Sequence, residues 1–513
     1  MLEFGDMNKF NQWIHLVSEI FVSKRKVTSK KIIYIDAYRP DSLNIFLPRI
    51  LYAKGIEKST GIDKTIILTT EINQEMKDIG KAFGLEVKKV QSILAVLKAI
   101  LLSCYWYIFY NSGSKVYSLK ILNEEVGIYL ADFVIRHSND LYTFDKIRLK
   151  DLKKVILFTY RILSVGSIFK LNPPNMYIVH ETGYWFGPII KIAERKGAEI
   201  IQCDAGNRIN FLGDKHNLPI VATDIWHHEI KKLMESTNEV DWLLWVDTYF
   251  ENRRKGLTDR DAGLAYANKK NITKEIWMKS ANADKCKKNI VIMAHCFSDD
   301  ANISSVKAIY RDYYDWLINT LKIIQNIDNV NWLLKAHPAR KVYNEGDEIF
   351  SIFEKYAKKK NIFIIEDSIS SNALYGIIDA AVTVSGTCGL EFSSSGIPVI
   401  CAGWATYGGF GFTMEPKNEK EYIELLSHLD NISPLSNEKV NMAKKVSYAY
   451  FNVHNPIDKF DEIFVNSFSY NPKEADDYIV NELLNMSTIG HDLTESWFYK
   501  RGLNFTEEAK SNA

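Results

Sequence analysis

At 513 residues the chain is too long for one compact core and predicts at least two domains. Lys and Arg number 64 against 63 Asp and Glu, a formal charge of +1, which excludes the basic balance of a general nucleic-acid binder. Apolar residues make up 46%, enough for a large core. The six cysteines stand apart without C-x-x-C spacing, as small buried hydrophobes of a reducing cytoplasm do and as zinc ligands do not.

In chain order, residues 1–30 read as one helix and a basic linker, Lys24-Arg25-Lys26. Met1 to Trp13 is polar and predicts no signal peptide. Lys31–Asp36 and Lys64–Thr70 predict strands, and Asn44–Lys54 and Gln74–Phe83 the helices that follow them. That alternation predicts a parallel sheet. Ser92–Tyr110 carries Lys98 as its only charge. Its length just reaches across a bilayer, but a buried or membrane-surface helix is the expectation, with aromatic residues gathered from Cys104 to Tyr110. Lys146–Lys170 is basic and amphipathic: Lys146, Arg148, Lys150, Lys153, Lys154 and Arg161 accompany Val155, Ile156, Phe158, Ile162 and Leu163. Such a helix lies on an anionic membrane or simply turns a solvated charged face to water. Together the two segments predict peripheral contact with the inner face of the cytoplasmic membrane.

Asn175–His180 predicts a strand, Glu181 to Trp185 a loop, Pro188–Lys196 a helix, and Ala198–Gln202 a strand ending at Asp204-Ala205-Gly206-Asn207. Residues 223–282 read as mostly helical, and the polar run Lys279–Lys288 as a linker. A second α/β alternation begins there. Strands are predicted at Asn289–Ala294, Asn329–Lys335, Ile362–Ile365, Ala381–Val384 and Pro398–Cys401, with helices between them and closing helices at 417–429 and 435–449. The expected domains are 1–282, 283–466 and a polar tail, 467–513, with one helix at Ala475–Met486.

Four loops of the second half follow strand ends: His295 to Asn302, His337-Pro338, Ser385 to Thr387, and Gly403 to Thr413. In a doubly wound sheet such loops converge on one crevice. His337 can donate to a phosphate. Ser385, Gly386 and Thr387 open a helix whose free amides suit an anion, and Gly389 leaves its backbone approachable. Glu391, one helical turn after Thr387, suits ribose hydroxyls. Such a set fits a nucleotide monophosphate or diphosphate.

The runs LLKAHP, SGTCGLEFSSSGIPVICAG and ATYGGFGFT resemble the bacterial capsule polysaccharide biosynthesis family, which includes β-Kdo glycosyltransferases; HCFSDDANIS resembles the loop that opens the same domain there. The resemblance spans about residues 289–415. It implies a GT-B-like α/β fold, two Rossmann-like domains facing a cleft with closing C-terminal helices. The nucleotide-sugar donor would sit on the C-terminal domain and a glycan or lipid-linked glycan acceptor on the N-terminal one. Related loops occur in bacterial sialyltransferases and in teichoic-acid polyol-phosphate polymerases, which leaves the donor open. Where the family shows Glu-Asp-Gly after an N-terminal strand, this chain has Glu181-Thr182-Gly183. Glu181 is the carboxylate that survives there.

Sugar transfer needs a carboxylate as nucleophile or general base and dipolar or cationic help for the departing phosphate. Glu181 and Asp299 are the catalytic candidates, with Asp300 and Asp204 behind them. Tyr184 and Trp185 are candidates to stack on an acceptor sugar; His337, Pro338, Ser385, Gly386, Thr387, Gly389 and Glu391 are the nucleotide set. No cofactor and no metal is expected. The function expected is a glycosyltransferase building a capsule or lipopolysaccharide O-antigen from a nucleotide-activated sugar such as CMP-Kdo. The alternatives are a CDP-polyol phosphotransferase, a nucleotide-sugar epimerase, and a non-catalytic scaffold of a polysaccharide assembly complex.

Overall fold

The structure is a computed structural model that describes residues 2, 4–22, 31–37, 42–62, 64–204, 208–212, 222–236, 239–258, 260–343, 345–452 and 458–505. The chain divides into two compact units: residues 1–130, 145–220 and 453–513 form the first, and 131–144 with 221–452 the second.

In unit 1 the strands are β1 (Ile33–Asp36), β2 (Thr65–Thr69), β3 (Glu86–Lys89), β4 (Lys120–Ile121), β5 (Glu124–Glu125), β6 (Met176–Val179), β7 (Glu199–Asp204) and β8 (Arg208–Phe211). Six of them form one sheet in the order β3-β2-β1-β6-β7-β8, parallel except for the antiparallel β7–β8 edge, while β4 and β5 pair as a separate hairpin. Central strands that read as unbroken apolar runs are buried on both faces, as parallel sheets require. Alternate residues serve opposite sides: Ile33, Ile35, Ile67 and Ile178 enter a core with Trp13, Phe46 and Phe83, while Tyr34 and Tyr177 pack on Phe169 across the sheet, at 5.3 and 5.4 Å.

Unit 2 is a five-stranded, fully parallel sheet of β9 (Asn289–Met293), β10 (Asn331–Lys335), β11 (Ile362–Ile365), β12 (Ala380–Thr383) and β13 (Val399–Cys401), in the order β11-β10-β9-β12-β13. Ile290, Ile292, Trp332, Leu334, Val382 and Ile400 point to a core with Trp316, Phe353 and Tyr422. Val291, Leu333, Ala381 and Val399 point to the opposite one with Trp277, Leu374 and Val446. Two Rossmann-like α/β units are the organisation expected of a GT-B-like fold.

The unit boundaries differ from the expected break at 283 and from a separate polar tail at 467–513. Residues 221–282 belong to unit 2, because Trp242, Val246, Phe250 and Trp277 join the core of Leu374 and Val446. The last segment belongs to unit 1, and its described residues include the helices Lys459–Ser467, Pro472–Thr488 and Trp497–Leu503. Phe464, Ile479, Leu483 and Phe498 enter the unit 1 core. Buried Asp476 accepts from Ser42 Oγ at 2.9 Å and Leu43 N at 2.7 Å, capping the helix Leu43–Thr60. That helix lies against Trp497–Leu503 backbone to backbone: a Cβ on Gly55 would overlap the Tyr499 carbonyl, and one on Gly502 the Tyr52 carbonyl.

Among the described residues no helix is long and apolar enough to cross a membrane. The expected helices at 92–110 and 146–170 form as Ile93–Phe109 and as the turn Leu149–Asp151 leading into Leu152–Leu171.

Candidate functional site

The C-terminal ends of β9, β10, β12 and β13 are neighbours in the unit 2 sheet, so their loops share one edge. His337 follows β10 and caps the turn Pro338–Lys341, its Nδ1 accepting from Ala339 N at 3.2 Å. Cys296 Sγ, from the loop after β9, lies 3.1 Å from the same nitrogen. An accepting Nδ1 leaves the proton on Nε2, which is then the donor available to a ligand. Burial, with the Arg340 guanidinium second, lowers the His337 pKa to about 4, so near neutral pH the ring donates as an uncharged imidazole. Arg340 itself is buried, bonded to Gly346 O at 3.2 Å and paired with Asp347 at 2.8 Å and with Asp367.

His295 does different work. Its Nε2 accepts from Val384 N at 3.2 Å and lies 2.9 Å from Thr383 Oγ1, which accepts in turn from Gly386 N at 3.3 Å. The imidazole therefore ties the end of β9 to the end of β12. Burial lowers its pKa to about 3, with His337 adding to the shift. Its ring stacks on Tyr313 at 4.3 Å, and the Tyr313 hydroxyl is hydrogen-bonded to Ser385.

Gly386 and Gly389 join two of the sequence runs. Tyr407 sends its hydroxyl to the Gly386 carbonyl, and a Cβ on Gly389 would overlap that phenol. These glycines thus make room for the tyrosine of the Gly-rich loop as well as keeping the turn open. Thr387 starts the helix Cys388–Ser393, and its side chain makes no cap there. In the Gly-rich loop, Gly409 N donates to both Glu415 oxygens at 3.0 and 3.1 Å, so that amide already holds an anion of the chain itself. A cavity of about 520 Å³ just beyond is lined by Glu415, Glu421 and Glu424, a charge unsuited to phosphate.

Glu391 has partners other than a ribose. It is buried, and its carboxylate takes Arg253 Nε at 3.0 Å, the Tyr266 hydroxyl, and the Tyr375 hydroxyl at 3.3 Å. Both oxygens are engaged inside the unit, fastening the helix Cys388–Ser393 to the helices Glu239–Arg254 and Arg260–Tyr266.

Asp299 is exposed after β9 and hydrogen-bonded to Tyr343, whose ring lies 4.2 Å beneath the Arg136 guanidinium. Asp300 adopts a left-handed conformation, φ 49°, at the start of the helix Ala301–Ser304, with no side-chain cap. The capping carboxylate there is Asp132, which accepts from Asn302 N at 2.9 Å and Ile303 N at 3.0 Å. Glu345 accepts from Ser298 N at 2.7 Å and Ser298 Oγ at 2.8 Å. Burial raises both Asp132 and Glu345 to about 7, against the pull of those hydrogen bonds. Neither residue stood out in the sequence, because each lies far along the chain from the loop it holds. Lys307, 5.7 Å over the Trp404 ring, is a further cation beside the Gly-rich loop, and His227 Nδ1 lies 3.1 Å from Thr406 O in that loop.

In unit 1, Glu181 follows β6 half-buried, 3.6 Å from His180 Nε2. Burial, with Arg49 second, drives the His180 pKa down to about 3, so this contact is not an ion pair near neutral pH. Tyr184 and Trp185 are buried, at 9% and 4% exposure, which removes the open ring faces that stacking on a sugar needs. Arg161 covers the Trp185 ring at 4.1 Å. Asp204 ends β7, but its side chain and the loop after it lie outside the described residues. The run Asp259-Arg260-Asp261 has the Asp-x-Asp spacing that the expectation of metal independence passed over; Asp259 lies outside the described residues. No group of three or more His, Cys, Asp or Glu that could hold a metal occurs among the described residues.

Residues 247–429 match the family described as Capsule polysaccharide biosynthesis protein. Among curated proteins no match to the chain is found. Similar solved structures include two from Thermosulfurimonas dismutans. The KpsC β-Kdo 2,4 transferase is 13% identical over 53% of this chain and 79% of its own, TM-score 0.33. The KpsC β-Kdo 2,7 transferase is 14% identical over 56% and 80%, TM-score 0.32. A UDP-GlcNAc 2-epimerase from Neisseria meningitidis, bound to UDP-GlcNAc, is 13% identical over 89% and 100%, TM-score 0.23. At such identities and scores these likenesses say nothing of this chain's chemistry. The family match takes in the loop after β9, His337, Ser385 to Glu391 and the Gly-rich loop together, so over residues 247–429 the chain is similar to the capsule polysaccharide biosynthesis family, the family its motifs resemble.

Proposed function

We propose that the protein is a glycosyltransferase of surface polysaccharide synthesis and that unit 2 binds the nucleotide of its activated sugar at the C-terminal edge of its sheet. The observation that carries this reading is His337: a neutral imidazole at a strand end, its Nδ1 satisfied by the chain, its Nε2–H left for a phosphate oxygen. Pro338 starts the turn that His337 caps, and Ser385, Gly386 and Thr387 follow the end of β12, which lies on the other side of β9 from β10. A neutral donor keeps its proton while negative charge grows on the leaving phosphate, and in a buried site such a hydrogen bond is strengthened. Glu391 is left out of this set because its carboxylate is consumed within the fold. The acceptor's base is assigned to Glu181, with Asp299 as the competing carboxylate. CMP-Kdo is the donor proposed first, and the acceptor is a glycan or lipid-linked glycan.

Titration of the purified protein with CMP, UDP and CDP and their sugar conjugates, followed by assay of donor hydrolysis, tests this reading. His337→Ala should weaken nucleotide binding by about tenfold or more, the scale of one lost hydrogen bond to a charged group, in a chain that stays folded although it loses the cap on Ala339 N. Equal binding by that variant would remove His337 from the site. Turnover of a CDP-polyol would move the protein to the phosphotransferases, and no binding of any nucleotide would leave it a scaffold.

A further inference from the structure

The helix Ile93–Phe109 in unit 1 turns almost nothing polar to its surroundings. Ala95, Ala99, Ser103 and Trp106 are its buried stripe. Opposite them Ile93 is 83% exposed, Leu94 70%, Leu97 55%, Leu101 71%, Ile108 65% and Phe109 61%. Val96, Ile100 and Tyr105 fill the space between, and Lys98 is the charged residue of the helix. A continuous apolar face of this size, uncovered among the described residues, marks an interaction site rather than scattered surface leucines. A helix of this length reaches about 26 Å, too short to cross a bilayer upright but enough to lie along one.

Its neighbour supplies the charge. The helix Leu152–Leu171 runs antiparallel to it, with Ser103 Oγ 3.5 Å from Thr159 Oγ1 and Tyr160 reaching back to Val90 O. At the C-terminal end of Ile93–Phe109, Asn111 accepts from Ile147 N at 2.5 Å and Gly113 N donates to Asp145 O at 3.0 Å. That brings the exposed Lys146, Lys150 and Lys153 to the end where Tyr105, Phe109 and Tyr110 gather. The acids on this stretch are Asp145, exposed, and Asp151, buried between Arg148 and Lys154. Leu149 and Leu157, 69% and 40% exposed, continue the apolar surface onto the second segment.

We propose that this face docks the protein on an anionic lipid bilayer, the helix Ile93–Phe109 lying in the plane of the headgroups with its leucine face in the acyl region and Lys146, Lys150 and Lys153 on lipid phosphates. Aromatic rings beside lysines at one end of an apolar helix are the arrangement of an interfacial anchor. Among the described residues of this stretch Asp145 is the exposed carboxylate, outnumbered by Lys146, Lys150 and Lys153, so the charge complements anionic headgroups rather than a basic protein surface or a second copy of itself. This docking is independent of the nucleotide assigned to unit 2.

The test is co-sedimentation of the full chain with phosphatidylcholine vesicles, with and without phosphatidylglycerol. The protein should bind the phosphatidylglycerol vesicles and release in high salt. Leu97→Asp with Leu101→Asp, both on the open face, should weaken binding by about a hundredfold. Lys146→Ala with Lys150→Ala and Lys153→Ala should weaken it by about tenfold to a hundredfold on phosphatidylglycerol alone. An unchanged Tm and circular dichroism spectrum in both variants separates docking from unfolding. No binding to either vesicle, or binding untouched by either variant, overturns the proposal. So does a dimer in solution that the two Asp changes dissolve while vesicles are ignored, which would give the face to a second copy of the chain. Vesicle binding is read without any sugar donor, so its failure stays distinct from failure of the transferase reading.

Discussion

Arg253→Met is the sharpest probe of what Glu391 does. The Arg253–Glu391 pair is buried, with 7% and 6% of the two side chains exposed and 3.0 Å between Nε and Oε1. Removing the guanidinium leaves a carboxylate inside unit 2 with only the Tyr266 and Tyr375 hydroxyls to hold it. Breaking a buried pair from one side costs about 3–5 kcal/mol. At about 2–4 °C per kcal/mol for a unit of this size, the Tm should fall by about 6–20 °C. Glu391→Gln should also destabilise, because an amide oxygen accepts from one side while its NH2 confronts the donors on the other. A double change to Met and Leu should recover much of the loss, since an apolar pair leaves no orphaned charge. The assay pairs differential scanning fluorimetry with nucleotide titration well below the transition. Each single variant should melt early and bind nucleotide with unchanged affinity. An unchanged Tm with weakened nucleotide binding would refute the reasoning and return Glu391 to the ribose.

Glu181→Gln should lower turnover by about a hundredfold or more with nucleotide binding intact; normal turnover there, with an inactive Asp299→Asn, would move the base to unit 2. Burial raises Glu345 from 4.5 to about 7, so its contribution to stability is complete below pH 4.5 and is lost as the pH rises through 7. Denaturant unfolding at about pH 5 and about pH 8 should therefore show a decline, worth about 3 kcal/mol at most, that Glu345→Gln flattens; an identical slope in the variant would refute it. Gly502→Ala should destabilise unit 1 by several kcal/mol, because the added methyl meets the Tyr52 carbonyl and backbone of the helix Leu43–Thr60. A Tm within about a degree of wild type would show that the two helices part without cost.

Local pattern was enough for the sheets. Ile33–Asp36, Ile362–Ile365 and Val399–Cys401 are short apolar runs between polar turns, and buried parallel strands leave that mark whatever surrounds them. His337 was legible for the same reason, since a polar residue straight after such a strand stands at the sheet's edge. The strand Glu86–Lys89 lacked the mark: it is a half-exposed edge strand, charged at Glu86, Lys88 and Lys89. The fate of a side chain was beyond local pattern. Glu391 lies one turn after Thr387 in any helix, but only the packing of Arg253 and Tyr266, more than a hundred residues upstream, turns its carboxylate inward. Tyr184 and Trp185 look like sugar platforms beside a strand end until Arg161 and the unit 1 core close over them. Asp132 and Glu345 hold the loop after β9 from distant positions that no spacing rule connects. The tail after 467 looked polar because its helices alternate charge with core residues, and its place in unit 1 depends on Gly55 and Gly502 meeting. Strand identity is written within a few neighbouring residues; burial and charge compensation are settled between residues that only the folded chain makes neighbours.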